Sequence, residues 1–163
     1  MEALMSRNCA TVVFVFAFFV LTYPANAEDA PSDYRAQLLA YHNAVRAEQK
    51  LPALTHDALL SQAAKAHANH MAKTGKFAHD GIGNGKIDER IDAAGYNWKK
   101  VGENIAWSGS DTADNTRLAM QIWLASPPHK MQILSDIQEV GFGRAVGADG
   151  KVYWVACFGT PAP

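Results

Sequence analysis

The sequence predicts an α+β domain in which a sheet lies between layers of helix. Three observations point there. Apolar residues recur at three- and four-residue steps in Tyr34, Leu38, Tyr41 and Val45, and again in Leu59, Leu60, Ala63, Ala66, His67 and Met71, so helices open the fold. Towards the C-terminus two extended runs, Val140 to Val146 and Val152 to Phe158, flank Gly147-Ala148-Asp149-Gly150, a hairpin signal. In the second run both alternating sets are apolar. Val152, Trp154, Ala156 and Phe158 fall on one face and Tyr153, Val155 and Cys157 on the other, so that strand needs cover on both sides.

The chain opens with Arg7, an apolar run from Val12 to Leu21 and then Ala25-Asn26-Ala27, the pattern of a signal peptide spanning residues 1–27. The run is about half the roughly 20 residues that a membrane-crossing helix needs. Cys9 precedes the run, so it is not placed for lipid attachment. Cleavage after Ala27 leaves residues 28–163 as one domain, secreted or periplasmic, with no transmembrane segment remaining. Cys157 is then the only cysteine, which excludes an internal disulfide. Positive and negative side chains nearly balance and form no long run, which argues against nucleic acid or an anionic membrane as partner.

Within that domain Ser32 is placed to cap the first helix and Pro52 marks the break after it. Thr55 or Asp57 caps the second helix, which ends near Gly75. A glycine-rich loop from His79 to Lys86 leads to a short helix from Asp88 to Ala94, stopped by Gly95, and then to an extended segment from Val101 to Ser108. Leu118, Ile122 and Trp123 give a helix from Asp114 to Ala125, ended by Pro127-Pro128, with a helical turn through Met131 and Leu134 beyond. No repeat, linker or low-complexity tract interrupts the chain.

Side chains able to do chemistry gather in Phe77-Ala78-His79-Asp80, in Gly102-Glu103-Asn104-Ile105-Ala106 and in Ser126-Pro127-Pro128-His129. Two imidazoles and a carboxylate, His79, His129 and Glu103, suit zinc or a similar divalent cation, although their spacing matches no local ligand pattern. Ser126 and Ser108 lack a Gly-x-Ser-x-Gly turn, which argues against a serine hydrolase. Cys157, inside an apolar strand, reads as an inert buried thiol. His42 and Asn43 read as hydrogen-bonded core residues; His56, His67 and His70 as surface or partly buried helix positions. Trp123 and Trp154 read as core, as do Trp98 and Trp107, for which a cleft wall is the alternative.

Several motifs together resemble the CAP superfamily, the group of cysteine-rich secretory proteins, venom antigens and plant pathogenesis-related proteins that share an SCP domain. Leu39-Ala40-Tyr41-His42-Asn43-Ala44-Val45-Arg46 with Leu51-Pro52-Ala53-Leu54 is similar to its opening helix and turn, and Ala63 to Met71 with Phe77-Ala78-His79 to its second helix. Ala94-Gly95-Tyr96-Asn97-Trp98 and Val101-Gly102-Glu103-Asn104-Ile105-Ala106 resemble its central signature. Trp123, Ser126-Pro127-Pro128-His129, Ile133-Leu134, Val140-Gly141-Phe142-Gly143, Tyr153-Trp154 and Phe158-Gly159 resemble its closing block, in the short bacterial form without disulfides.

That resemblance implies a three-layer α-β-α sandwich with a central antiparallel sheet and a cleft where two histidines and two glutamates meet. His79, Glu103 and His129 fall on three of the four positions; the fourth, three residues after Trp123, holds Ser126. Asp80 is the candidate substitute. The implied function is a secreted binding domain whose cleft takes a small ligand or a divalent metal through His79, Glu103 and His129, with Asp80 and Ser126 beside them. The missing carboxylate favours binding over catalysis. Partners implied by the family are a sterol or fatty acid, expected on the apolar face of the second helix, or an extracellular protein. The alternatives are a metal-dependent hydrolase using the same cleft and a cell-wall or host-interaction factor acting through its surface.

Overall fold

A computed structural model describes residues 33–80, 85–109 and 115–163. The expected signal peptide and Ser32 lie outside the described residues, as do residues 81–84 of the glycine-rich loop and Asp114. No helix among the described residues is long and apolar enough to cross a membrane.

Five helices and four strands follow in the order α1 (Tyr34–Glu48), β1 (Thr55–His56), α2 (Ala58–Thr74), α3 (Ile87–Ala93), β2 (Trp98–Ser108), α4 (Asn115–Ala125), α5 (Pro127–Ile133), β3 (Glu139–Val146) and β4 (Val152–Pro161). Asp33 caps α1, its carboxylate accepting from the Arg35 amide, so the cap is one residue later than expected. Asp57 caps α2 by accepting from the Leu60 amide, while Thr55 is given to β1. Gly75 closes α2 in the left-handed region at φ 68°, where its amide reaches Met71 O. Pro127 and Pro128 end α4 and also begin α5, because the first turn of a helix leaves its amides unpaired and proline has none to lose.

The sheet runs β1-β3-β4-β2. β3 and β4 form the expected hairpin, β4 and β2 pair antiparallel, and the two-residue β1 adds a parallel edge beside β3 that the sequence did not announce. Val152 to Gly159 of β4 are buried without interruption. Val152, Trp154, Ala156 and Phe158 join Leu38, Met120, Trp123, Ile133 and Phe142 in a core under α1, α4 and α5. Tyr153, Val155 and Cys157 join Leu60, Ala64, Met71, Ile91 and Ile105 in a second core under α2 and α3. The strand is thus covered on both faces, as its two apolar sets require.

On the second face α2 rests directly on β3. A Cβ built on Gly143 would stand 2.2 Å from the Ala64 backbone, and one on Gly141 2.0 Å from the Ser61 amide nitrogen. Ser61 Oγ accepts from the Phe142 amide and shares a 2.8 Å hydrogen bond with His56 Nε2, satisfying a strand donor beyond the end of β1. Leu60, Ala63, Ala64, Ala68 and Met71 are consumed in this contact, while Leu59 and Ala66 of the expected stripe face solvent. The apolar face on which lipid was expected is therefore spent on the sheet.

Two polar side chains, one buried and one half-buried, tie the first layer. Arg46, 2% exposed, donates to Pro52 O, Ile133 O, Ser135 O and Ile137 O, joining the end of α1 to the chain leaving α5. Asn43 exchanges two hydrogen bonds with the Leu54 backbone. His42 is fully buried among Trp123, Phe142 and Phe158, with Nδ1 donating to Leu38 O.

A methyl at Gly143 can be accommodated only by lifting α2. Gly143→Ala is expected to lower stability by about 3 kcal/mol in urea denaturation, whereas Gly109→Ala, with nothing within 4 Å, changes it by less than about 0.5 kcal/mol. Burial pushes the His42 pKa down to about 4. The unfolded chain binds a proton near 6.5 and the folded one does not, so stability present above 6.5 is lost as pH falls to about 4. That loss is on the order of 3 kcal/mol. His42→Leu should remove this part of the pH dependence in denaturation series at pH 7 and pH 4; equal losses in both proteins would refute the assignment.

Candidate functional site

β2 has a strand partner on one side only, so its other edge borders the helical layers. Ile105 of β2 lies in the core under α2 and α3 and Ala106 in the opposite core, so alternation sends Glu103 to the first face and Asn104 to the second. The site is built around these two neighbours.

The Glu103 side chain is only 2% exposed, and both its oxygens are engaged. Oε2 accepts from Arg90 Nη2 at 2.7 Å, and Oε1 lies 3.0 Å from His79 Nδ1. His67 Nε2, on α2, stands 3.9 Å from the same Oε1 and hydrogen-bonds Ala78 O. Arg90, buried on α3, also donates through Nη1 to His79 O and Gly85 O, gripping the two described ends of the loop that carries His79. The His79 backbone is therefore held while its side chain stays 55% exposed.

On the other face Asn104 Nδ2 donates to His129 O, locating the first turn of α5 against the strand. The His79 and His129 rings come from opposite layers and face one another over the strand edge, their centroids 6.4 Å apart. His129 Nδ1 is buried and has no hydrogen-bond partner among the described residues.

These surroundings set the charges. The hydrogen bond to Glu103 raises the His79 pKa above the ordinary histidine value, with burial opposing. Burial lowers that of His129, and the neighbouring His79 lowers it further. Burial also lowers that of His67, against the pull of Glu103. At neutral pH His129 and His67 are thus neutral, and His79 is the imidazole most ready to take a proton. Cys157, paired with Glu103 across β2 and β4, is fully buried, which pushes its thiol well up and leaves no thiolate for nucleophilic work.

Of the three expected residues, His79 thus hydrogen-bonds Glu103 and its ring stands opposite that of His129. Asp80 follows His79 into solvent, and its charge is the smallest of the influences on that imidazole. Ser126 precedes α5 without capping it. No hydrogen bond or ion pair among the described residues joins either side chain to the three. Nor does any group of three His, Cys, Asp or Glu among those residues stand in position to hold a metal ion. Two imidazoles on one tetrahedral zinc place their centroids roughly 5 Å apart when each Zn–N bond is about 2.0–2.1 Å. The observed rings would need to approach by about 1 Å, a movement open to the exposed His79 side chain. Trp98 is half-buried with its indole donating to Asp92, whereas Trp107, expected in the core, is 46% exposed under Lys151.

Sequence reasoning missed Arg90 and His67. His67 had a signal, since it shares the helical face of Ala63 and Met71 and so had to point inward. Arg90 had a weaker one: a carboxylate on a buried strand demands a cation, but nothing in a single sequence says which.

Comparison with known proteins agrees with this architecture. A Bacillus anthracis extracellular protein containing an SCP domain superposes with a TM-score of 0.68 at 26% identity, over 77% of this chain and 40% of its own. An outer surface protein of Borrelia burgdorferi gives 0.68 at 21% identity, covering 77% of this chain and 90% of its own. A venom allergen-like protein of Schistosoma mansoni gives 0.60 at 15% identity, over 82% and 92% of the two chains. Among curated sequences, the uncharacterized Bacillus subtilis protein YkwD is 29% identical over 119 residues, which is 72% of this chain but only 45% of YkwD. Residues 39–158 match the model of the Cysteine-rich secretory protein family, and with that match covering most of the chain, the protein belongs to this family.

Proposed function

We propose that this chain works outside the cytoplasm as a binding domain whose cleft, at the edge of β2, takes a divalent transition metal or a small polar ligand between His79 and His129. The observation that carries this reading is the pair of imidazoles facing each other from opposite layers, one of them backed by a buried carboxylate. Export is supported by the signal-peptide pattern of residues 1–27 and by the extracellular and surface origin of the structural relatives.

The residues fit a metal in a particular way. Each Glu103 oxygen already meets a partner and the side chain is 2% exposed, which supports a place behind His79 over one as a direct ligand. A carboxylate on the far nitrogen of a ligating histidine orients the ring and raises its basicity. His79 and His129 are the side chains that would hold the ion, and imidazole favours zinc, copper or nickel over calcium or magnesium. When bound, such an ion would supply Lewis acidity and open positions for water or ligand. The hydrolase alternative has less support: Glu103 is engaged twice, and the place of the second carboxylate holds Ser126, leaving no free acid/base pair.

Titration calorimetry with zinc on the exported protein tests the reading. Wild type should bind one ion near neutral pH, and His79→Ala or His129→Ala should abolish binding without changing the circular dichroism, since neither side chain belongs to a core. Protons compete for both imidazoles, so affinity should fall with pH, beginning above 6.5 because the His79 pKa is raised. Absence of binding by wild type, or undiminished binding by His129→Ala, overturns it.

A further inference from the structure

We infer that Arg90 is a positioning residue of this cleft: by holding Glu103 through Oε2 it reserves Oε1 for His79 Nδ1, and so fixes the neutral imidazole with Nε2 as its free lone pair. The inference rests on the cleft being a binding site, and it adds Arg90, a residue outside the set that the sequence motifs suggested.

A neutral imidazole carries one N–H and one lone pair, and its partner decides which nitrogen has which. Facing an ionised carboxylate at 3.0 Å, Nδ1 must carry the proton. That requires the carboxylate to remain an acceptor although it is 2% exposed, and a buried carboxylate without a cation is costly. Arg90 supplies the cation at 2.7 Å. His67 cannot replace it, because burial favours its neutral form and its Nε2 is committed to Ala78 O. Without Arg90 nothing holds Glu103 by Oε2, and Oε1 is no longer kept at Nδ1. Without that acceptor the neutral ring reverts to the Nε2–H form that free histidine prefers, and the lone pair is removed from the cleft. Arg90 acts on the backbone too. One guanidinium nitrogen holds Glu103 and the other His79 O and Gly85 O, so the fork fixes the ring and the loop that bears it.

Nitrogen-15 NMR of the histidine side chains reads the tautomer directly, at a pH where His79 is neutral and without metal. Wild-type His79 should be the Nδ1–H form. Arg90→Gln should convert it to Nε2–H and weaken zinc binding by about tenfold or more, as loss of a supporting partner does elsewhere, and Arg90→Lys should restore the Nδ1–H form. Glu103→Gln decides the matter even if Arg90→Gln fails to fold. With Arg90 present, the guanidinium takes the amide oxygen, the amide nitrogen is turned to His79, and the ring must switch to Nε2–H. A wild-type ring already protonated on Nε2, a folded Arg90→Gln protein that keeps Nδ1–H, or a Glu103→Gln protein that keeps it would each overturn the inference. Failure of wild type to bind zinc would instead overturn the metal reading, while the tautomer would still report on Arg90.

Discussion

Everything in this fold answers to one strand. β4 is buried along eight consecutive residues, and both of its faces are apolar, so a single helical layer cannot satisfy it. Two layers must form, α1 with α4 and α5 on one side and α2 with α3 on the other. β3 takes one flank of β4 and β2 the other. The outer edge of β2 is then the place where the two layers approach each other past the sheet. The cleft is a product of that geometry: consecutive residues of the edge strand, Glu103 and Asn104, point into different layers and each recruits a histidine region from its own side.

The two buried arginines show how differently the chain can accommodate the same charge. Arg46 meets only carbonyl oxygens, four of them, and turns an ionic side chain into a clamp on irregular backbone. Arg90 meets two carbonyls and one carboxylate, so it is both a clamp and a counter-ion. The first has no chemistry to offer, because every interaction is structural. The second is separated by a single carboxylate from a side chain that faces solvent, and its influence therefore reaches the surface.

Much of this was legible in the order of residues. The hairpin, the double-faced last strand and the end of α2 at Gly75 follow from alternation and turn chemistry, and the structure places them where those rules do. The convergence of His79, Glu103 and His129 was suggested by motif resemblance and not by spacing, which no local pattern supports. Three things were not legible. β1 is two residues long and exists because β3 offers it an edge, a tertiary cause without a local signal. Trp107 stands exposed on an edge strand while its cross-strand partner Tyr153 is buried, whereas hydrophobicity alone puts a tryptophan inside. Arg90 looks like any other charge on a short helix until the fold sets a buried carboxylate beside it.

The bare backbone of Gly141 and Gly143 has a bearing beyond packing. Because α2 lies on the strand itself, with no side chain between, its height above the sheet is set at Ser61 and Ala64. Farther along the same helix is His67, and past its end come Ala78 and His79. Two missing side chains on one strand thus help to decide where a histidine on the next loop is seated.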